Sequence, residues 1–372
     1  MKKNWLSLGL MSGTSGDGVD ASLIKTNGLD EFKVLKDKYF EYDSSIYKDI
    51  HTLKEKIYKI SHLEKLDSEL NDLERKITVF HAKVIKDFKI DDETIVGFHG
   101  QTIYHNIKEK ISKQLGNGKL LSQLTKKKIV YDFRSNDILN GGQGAPLAPV
   151  FHHLIAIQSN IELPVCFLNI GGISNITIVK EKNNFSELLS KDLGPGNCLI
   201  DSWVRKNSHK KFDEDGNLAL SGAKNEIIFE QAQELYLNRE SKEKKSFDTN
   251  DFDISFARGL SLEDGVTTLT DLTASIIGQE LTSTIINSNQ KIREVIICGG
   301  GRKNKVLLKK IEENLSSNIS LKLIDNYEVN GDFVESQAFA YLAVRSIMNL
   351  PLSFPNTTGC KHPSLGGKYI KY

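Results

Sequence analysis

The stretch Leu6-Ser7-Leu8-Gly9-Leu10-Met11-Ser12-Gly13-Thr14-Ser15-Gly16-Asp17-Gly18-Val19-Asp20-Ala21-Ser22-Leu23 decides the fold. Leu6 to Met11 is an apolar run of buried-strand length. Ser12 to Gly18 is dense in turn formers, and Val19 to Leu23 alternates apolar with polar residues, so the stretch predicts strand, tight turn and strand. The second half repeats the plan: Val165 to Ile170 is apolar apart from Asn169, Gly171-Gly172 turns, and Ser174-Asn175-Ile176-Thr177-Ile178-Val179 alternates. A third glycine turn, Gly299-Gly300-Gly301, follows the strand-like Glu294 to Cys298 and precedes a helix with Leu308, Ile311 and Leu315 on one face. Two glycine hairpins in one chain predict a duplicated α/β fold.

Phe32 to Tyr42 reads as a strand, and residues 45–90, with Lys, Glu, Leu and Ile at helical spacing, as helix. Thr94 to Phe98 is expected to be a strand that delivers His99, Gly100, Gln101 and Thr102 at its C-terminal end. The run Ile129 to Arg134 does the same for Asp132 and Arg134. Polar groups gathered at strand C-termini are where open α/β sheets take ligands. Gly141-Gly142-Gln143-Gly144-Ala145-Pro146-Leu147-Ala148-Pro149 punctuates the chain and is read as the domain boundary and hinge. That divides the chain into residues 1–145, rejoined by the tail 349–372, and residues 146–348. Residues 205–260 form an insertion, read equally as surface or as a lid. A last helix, Val334 to Met348, sets Glu335 four and seven residues before Phe339 and Leu342, on the inward face.

The 372 residues carry 49 Lys+Arg and 48 Asp+Glu, a formal charge of +1, which gives no electrostatic reason to expect nucleic acid or an anionic membrane as partner. Cys166, Cys198, Cys298 and Cys360 lie far apart, without the spacing of a zinc site or disulfide framework, and fit a reducing cytoplasm. The N-terminal apolar run is at the short limit and no small-residue cleavage site follows, so no signal peptide is expected. The P-loop, G-x-S-x-G and H-E-x-x-H patterns are absent. Gly16-x-Gly18-x-x-Ala21 matches a dinucleotide fingerprint in spacing, but a strand pattern follows where that motif needs a helix. The Gly13-Thr14-Ser15-Gly16-Asp17-Gly18 turn has the backbone N–H groups and hydroxyls to surround a phosphate, and a carboxylate to hold Mg²⁺.

Two phosphate hairpins plus a glycine turn resemble the superfold of actin, hexokinase and heat-shock-70 proteins, a two-domain ribonuclease H-like ATPase fold with nucleotide in the interdomain cleft. Gly9 to Ala21 is similar to the opening signature of the anhydro-N-acetylmuramic acid kinases. In order along the chain, the same family is resembled by His99-Gly100-Gln101-Thr102-x-x-His105, Asp132-Phe133-Arg134-x-x-Asp137, Gly141 to Leu147 and Asn169 to Asn175. Asp192-Leu193-Gly194-Pro195-Gly196-Asn197, Asp213-x-Asp215-Gly216 and Glu335 to Ala340 continue the match. Gly16 stands where the family usually has Leu or Met and is expected to loosen the hairpin. Glu243 and Lys244 replace two prolines before Lys245-Ser246-Phe247-Asp248, and Thr249 an Arg, which alters that loop.

The resemblance implies a cytoplasmic enzyme that opens the 1,6-anhydro ring of anhydro-N-acetylmuramic acid with water and passes the ATP γ-phosphate to O6, in peptidoglycan recycling, with homodimerisation plausible. It implies Asp192 as catalytic base, with Glu335 catalytic or sugar-binding. For ATP it implies Gly13, Thr14, Ser15, Gly16, Asp17, Gly18, Val19 and Asp20, then Gly171, Gly172, Ser174, Asn175 and Gly299, Gly300 and Gly301. It further implies Asp17 as the residue for Mg²⁺ through water, and His99, Gln101, Thr102, His105, Arg134 and Gly194 as the residues for the sugar. A kinase of the same superfold for another sugar, and a muropeptide or nucleotide sensor without turnover, stay open on the sequence.

Overall fold

The structure is a computed structural model that describes residues 3–237, 247 and 249–372. Its strands in chain order are β1 (Trp5–Ser12), β2 (Gly18–Thr26), β3 (Phe32–Glu41), β4 (Ile95–Asn106), β5 (Ile111–Leu115) and β6 (Lys128–Tyr131). They continue with β7 (Val165–Ile170), β8 (Ile173–Val179), β9 (Leu189–Pro195), β10 (Glu294–Cys298), β11 (Ser320–Leu323) and β12 (Lys368–Ile370).

The chain forms two compact units, one of residues 1–160, 184–188 and 333–372, the other of residues 161–183 and 189–332. In the first, β3-β2-β1 is an antiparallel meander and β1, β4 and β6 run parallel, with β12 closing the edge and β5 paired to β4. The second repeats this: β9-β8-β7 is antiparallel, and β7, β10 and β11 run parallel. Each hairpin thus opens its own sheet in the same ribonuclease H-like strand order, and the duplication expected from the two glycine turns is real.

Apolar alternation explains the layers. Leu8, Leu10, Val19 and Ala21 bury one face of the first sheet against Ile46, Ile50, Leu53, Leu73 and Ile77 of the helices Ser44–Lys56 and Asp67–Phe88. Each such aliphatic burial contributes roughly 1.5–3 kcal/mol. On the other face, Gly9 and Gly97 are register partners on β1 and β4. A Cβ on Gly9 would stand 1.9 Å from the Ser336 carbonyl oxygen, and one on Gly97 2.3 Å from that of Phe339. The helix Val334–Ile347 therefore lies directly on the sheet backbone, which fixes its first turn and Glu335 within it.

Two expectations need correction. The glycine- and proline-rich segment is no boundary: residues 146–160 and 333–348 pack in the first unit, and Gly141 to Pro149 lies inside it. The cause is Asp137, which is buried and accepts hydrogen bonds from Gly144 N at 2.7 Å, Ser353 Oγ at 2.5 Å and Thr358 Oγ1 at 2.6 Å, folding the loop onto the tail. Nor does β4 stop at Phe98. It runs to Asn106, because the residues after Gly100 pair with β5, so His99 to His105 are strand residues. The insertion contains the helix Glu226–Leu237; the residues 238–246 and 248, with the altered Glu243-Lys244 pair, lie outside the described residues.

Candidate active site

In the first unit, β1 and β2 are joined by a turn closed by Gly16 N to Gly13 O at 3.2 Å. Its carbonyls are tied from three sides: Gln101 Nε2 donates to Gly13 O at 2.9 Å, Lys54 Nζ to Thr14 O at 2.6 Å, and Tyr42 N to Asp17 O at 2.8 Å. Because the carbonyls are held from behind, the Thr14 and Ser15 side chains stay exposed. Behind the turn, Ser12 Oγ meets Tyr42 Oη at 2.8 Å, and His81, pushed down to about 4 by burial, sits neutral beside them. Asp20 opposes Tyr39 across β2 and β3, and Gly18 opposes Glu41. Burial first, then the charges of Asp17, Glu41 and Asp20, push the Tyr39 hydroxyl well above its ordinary value. The end of the hairpin is therefore an acidic field, suited to a cation.

Gln101 is fully buried, and its amide N–H groups point at two acceptors, Gly13 O and Thr102 O, which settles its orientation. Its Oε1 has no hydrogen-bond partner among the described residues. Two residues earlier on β4, His99 Nδ1 lies 2.7 Å from Gly100 O, an acceptor, so Nδ1 carries the proton and Nε2 the lone pair. That lone pair receives Arg134 Nε at 3.1 Å and Nη2 at 2.9 Å, while Arg134 Nη1 donates to Gly144 O at 2.7 Å. Burial, then the Arg134 charge, holds His99 far below its usual range and keeps it neutral. Both ring nitrogens of His99 are thus engaged, one by Gly100 O and the other by Arg134, whose guanidinium it aims. Thr102 Oγ1 accepts from Gln114 at 3.2 Å and keeps its own proton to give; His105 lies further along β4, opposite Ser112.

Phe339 packs on the His99 ring at 4.5 Å and on Phe133 at 5.1 Å, which seats the start of its helix beside Arg134. Glu335 forms no hydrogen bond or ion pair with the described residues. Burial raises its carboxyl above the usual carboxylate range, with Arg134 opposing the shift.

In the second unit, the β7–β8 turn is clamped by the start of the helix Cys198–Asn207. Gly196 N and Cys198 N donate to Gly172 O at 2.9 and 3.1 Å, and Asn197 N to Gly171 O at 2.8 Å. Ser174 is fully buried, and its hydroxyl donates to Gly194 O and Pro195 O, both at 3.1 Å. Its proton fixes the end of β9. Asp192 opposes Asn175 in the β8–β9 register, is 8% exposed, and takes Phe247 N on Oδ2 at 2.7 Å. Gly194, next but one, is covered by Tyr236, whose hydroxyl donates to Leu193 O at 2.7 Å. Gly299 and Gly301 press on Ile170, whereas a Cβ on Gly300 would meet nothing within 4 Å.

The family profile of anhydro-N-acetylmuramic acid kinase matches residues 5–371. The chain belongs to the anhydro-N-acetylmuramic acid kinase family. The curated protein of that name from Pelagibacter ubique (strain HTCC1062) is 54% identical over 374 residues, all of both chains. That from Zymomonas mobilis subsp. mobilis is 36% identical, covering 98% of this chain and 99% of its own. As a member of this kinase family, the chain is a phosphotransferase enzyme.

Several residues that shape the family's blocks here carry no functional signal of their own in the sequence. Asp137 organises the Gly141 loop, and Asp213 accepts Leu218 N at 2.8 Å and Ala219 N at 3.1 Å, so its motif builds a turn. Tyr236 and Arg302 belong to no motif. Gly16, expected from the sequence to loosen the hairpin, sits at φ +68°, and a Cβ there would lie 2.9 Å from Ile50 Cγ2 of the neighbouring helix. Gly16→Leu is expected to destabilise the protein by roughly 2–4 kcal/mol, from the left-handed backbone and the overlap with Ile50. A denaturant midpoint unchanged from wild type would show that the turn does not need glycine.

Glu335→Gln separates stability from function in this kinase. A carboxyl whose value is raised on folding binds its proton more tightly folded than unfolded, so wild-type stability falls as pH rises through the carboxylate range and on through the raised value. Gln has no such loss. The variant is expected to melt a few degrees higher than wild type at pH 8, with the gap closing toward pH 4, while turnover falls. A gap that widens on acidification would contradict the assignment.

Proposed function

We propose that the chain converts 1,6-anhydro-N-acetylmuramic acid, ATP and water into N-acetylmuramic acid 6-phosphate and ADP, in the recycling of cell-wall sugars. The observation that carries this reading is Gln101. One end of its buried amide ties the phosphate-type hairpin through Gly13 O, and the other leaves an acceptor with no partner among the described residues. A buried carbonyl oxygen costs free energy until a ligand N–H or O–H pairs with it. One residue thereby serves both the phosphate turn and a hydroxyl- and amide-bearing sugar.

In this reading Asp192 accepts a proton from water as its oxygen bonds to C1 and the C1–O6 bond breaks; O6 remains on the same ring and receives the γ-phosphoryl group as the bond to the ADP oxygen breaks. Arg134, aimed by His99 and Gly144, grips the lactyl carboxylate. Thr102 and His105 meet sugar hydroxyls, and Glu335 orients the water. Backbone groups of Gly13 to Asp20, of Gly171, Gly172 and Asn175, and of Gly299 to Gly301 bind ATP. Asp17, with Asp20 beside it, would hold a hydrated Mg²⁺, since their charges act together at Tyr39. When bound, the ion would supply charge neutralisation on the phosphates. The setting is the cytoplasm, with a homodimer as the assembly; no helix among the described residues is long and apolar enough to cross a membrane.

The test is ADP release from Mg·ATP with and without the anhydro sugar. Release that requires it supports the reading. Release driven by an ordinary hexose, or none with either sugar, rejects it.

A further inference from the structure

The glycine turn Gly299 to Gly301 is braced by a buried cation that the mechanism above does not use. Arg302 is 7% exposed. Its Nε and Nη2 take the two oxygens of Asp325 at 2.7 and 3.1 Å, a parallel two-bond fork, and its Nη1 reaches Asp332 Oδ1 at 2.6 Å and Gly299 O at 3.2 Å. Four of the five guanidinium N–H groups are thereby spent inside the protein. The ring of contacts closes through the backbone. Gly299 N donates to Gly331 O at 3.3 Å, and Gly331 N to Asp325 Oδ1 at 3.3 Å. A Cβ on Gly331 would lie 2.3 Å from Arg302 Nε, so that glycine lies flat on the guanidinium.

The result is that both backbone polar groups of Gly299 are held. Its N–H is fixed by Gly331, and its carbonyl is shared by the backbone N–H of Arg302 at 3.3 Å and the guanidinium at 3.2 Å. Gly299 stays at φ +82°, the conformation that turns the chain so that Gly300 stands exposed with open space over its Cα. A lysine there could not reproduce the brace, because one ammonium cannot form a planar fork to Asp325 while also bridging Asp332 and Gly299 O.

We infer that Arg302, fixed by Asp325 and Asp332, is a positioning residue for ATP: it holds the Gly299–Gly301 turn in the shape that receives the adenosine end of the nucleotide. This rests on the proposal that the turn binds ATP. Arg302 itself acts through the glycine backbone and touches no reacting atom.

The experiment is steady-state kinetics of Arg302→Lys, Asp325→Asn and Gly300→Val, with KM measured separately for ATP and for the anhydro sugar. Gly300→Val fills the open space without disturbing the brace and so tests the turn alone. Arg302→Lys and Asp325→Asn are each expected to raise KM for ATP about tenfold, the effect of losing one charge-assisted hydrogen bond, with KM for the sugar unchanged. The double variant is expected to be no worse than the weaker single, since both break one brace. If Gly300→Val raises KM for ATP and the brace variants do not, the positioning role is wrong while the turn's role stands. If Gly300→Val leaves KM for ATP unchanged, the turn does not receive the nucleotide and the inference falls with it. Equal rises for both substrates would mark Arg302 as a general structural support and overturn the role. Should Arg302→Lys fail to fold, Asp325→Asn alone decides between these outcomes, because Asn keeps an acceptor for Gly331 N.

Discussion

Asp192→Asn is expected to lower sugar-dependent ADP release about 10³-fold in kcat, the usual effect of removing a general base from its proton-transfer step. Asn retains an oxygen for the Phe247 N–H that Asp192 accepts at 2.7 Å, and the Asn175–Asp192 register is a backbone matter, so β9 keeps its place. Thermal stability and KM for ATP are expected to stay near wild type while turnover collapses. A variant that retains more than a tenth of wild-type kcat would remove Asp192 from the proton transfer and turn attention to Glu335.

The second large effect belongs to Arg134. Replacing it with Lys is expected to raise KM for the anhydro sugar about 100-fold, with KM for ATP unmoved, because a point charge cannot keep the contacts to His99 Nε2 and Gly144 O and also grip a carboxylate with two parallel bonds. The sugar lacking the lactyl group, 1,6-anhydro-N-acetylglucosamine, completes the cycle. Wild type is expected to use it poorly, and Arg134→Lys to use it no worse than wild type does. A further loss on this truncated sugar would show that Arg134 acts on something other than the carboxylate. His99 stays neutral throughout the ordinary pH range, so the contact it provides is not expected to titrate.

The sequence and the structure agree where the signal is local. The two hairpins are legible because an apolar strand, a glycine turn and an alternating strand lie consecutively, and the parallel strands show as short apolar runs. Agreement fails where the deciding partner is remote. Gly141 to Pro149 has the composition of a linker, yet Asp137, Ser353 and Thr358 fold it into the first unit. His99 to His105 looks like a polar loop because its cover, β5, is a weakly patterned strand further along the chain. Ser174 and His99 are legible as polar residues at the turns and strand ends, but not their pairing with Gly194, Pro195 and Arg134. Arg302 escapes a reading of the sequence because its partners lie 23 and 30 residues away, and an Arg among many surface charges carries no pattern of its own.

Coupling of water attack on C1 to phosphorylation of O6 in one enzyme is read from the product formed in ¹⁸O-water, quenched within seconds and analysed by mass spectrometry. The expected product is N-acetylmuramic acid 6-phosphate carrying one ¹⁸O, at C1, and none in the phosphate. An anhydro sugar phosphorylated without ring opening, or ¹⁸O found in the phosphate with the sugar unlabelled, would contradict it.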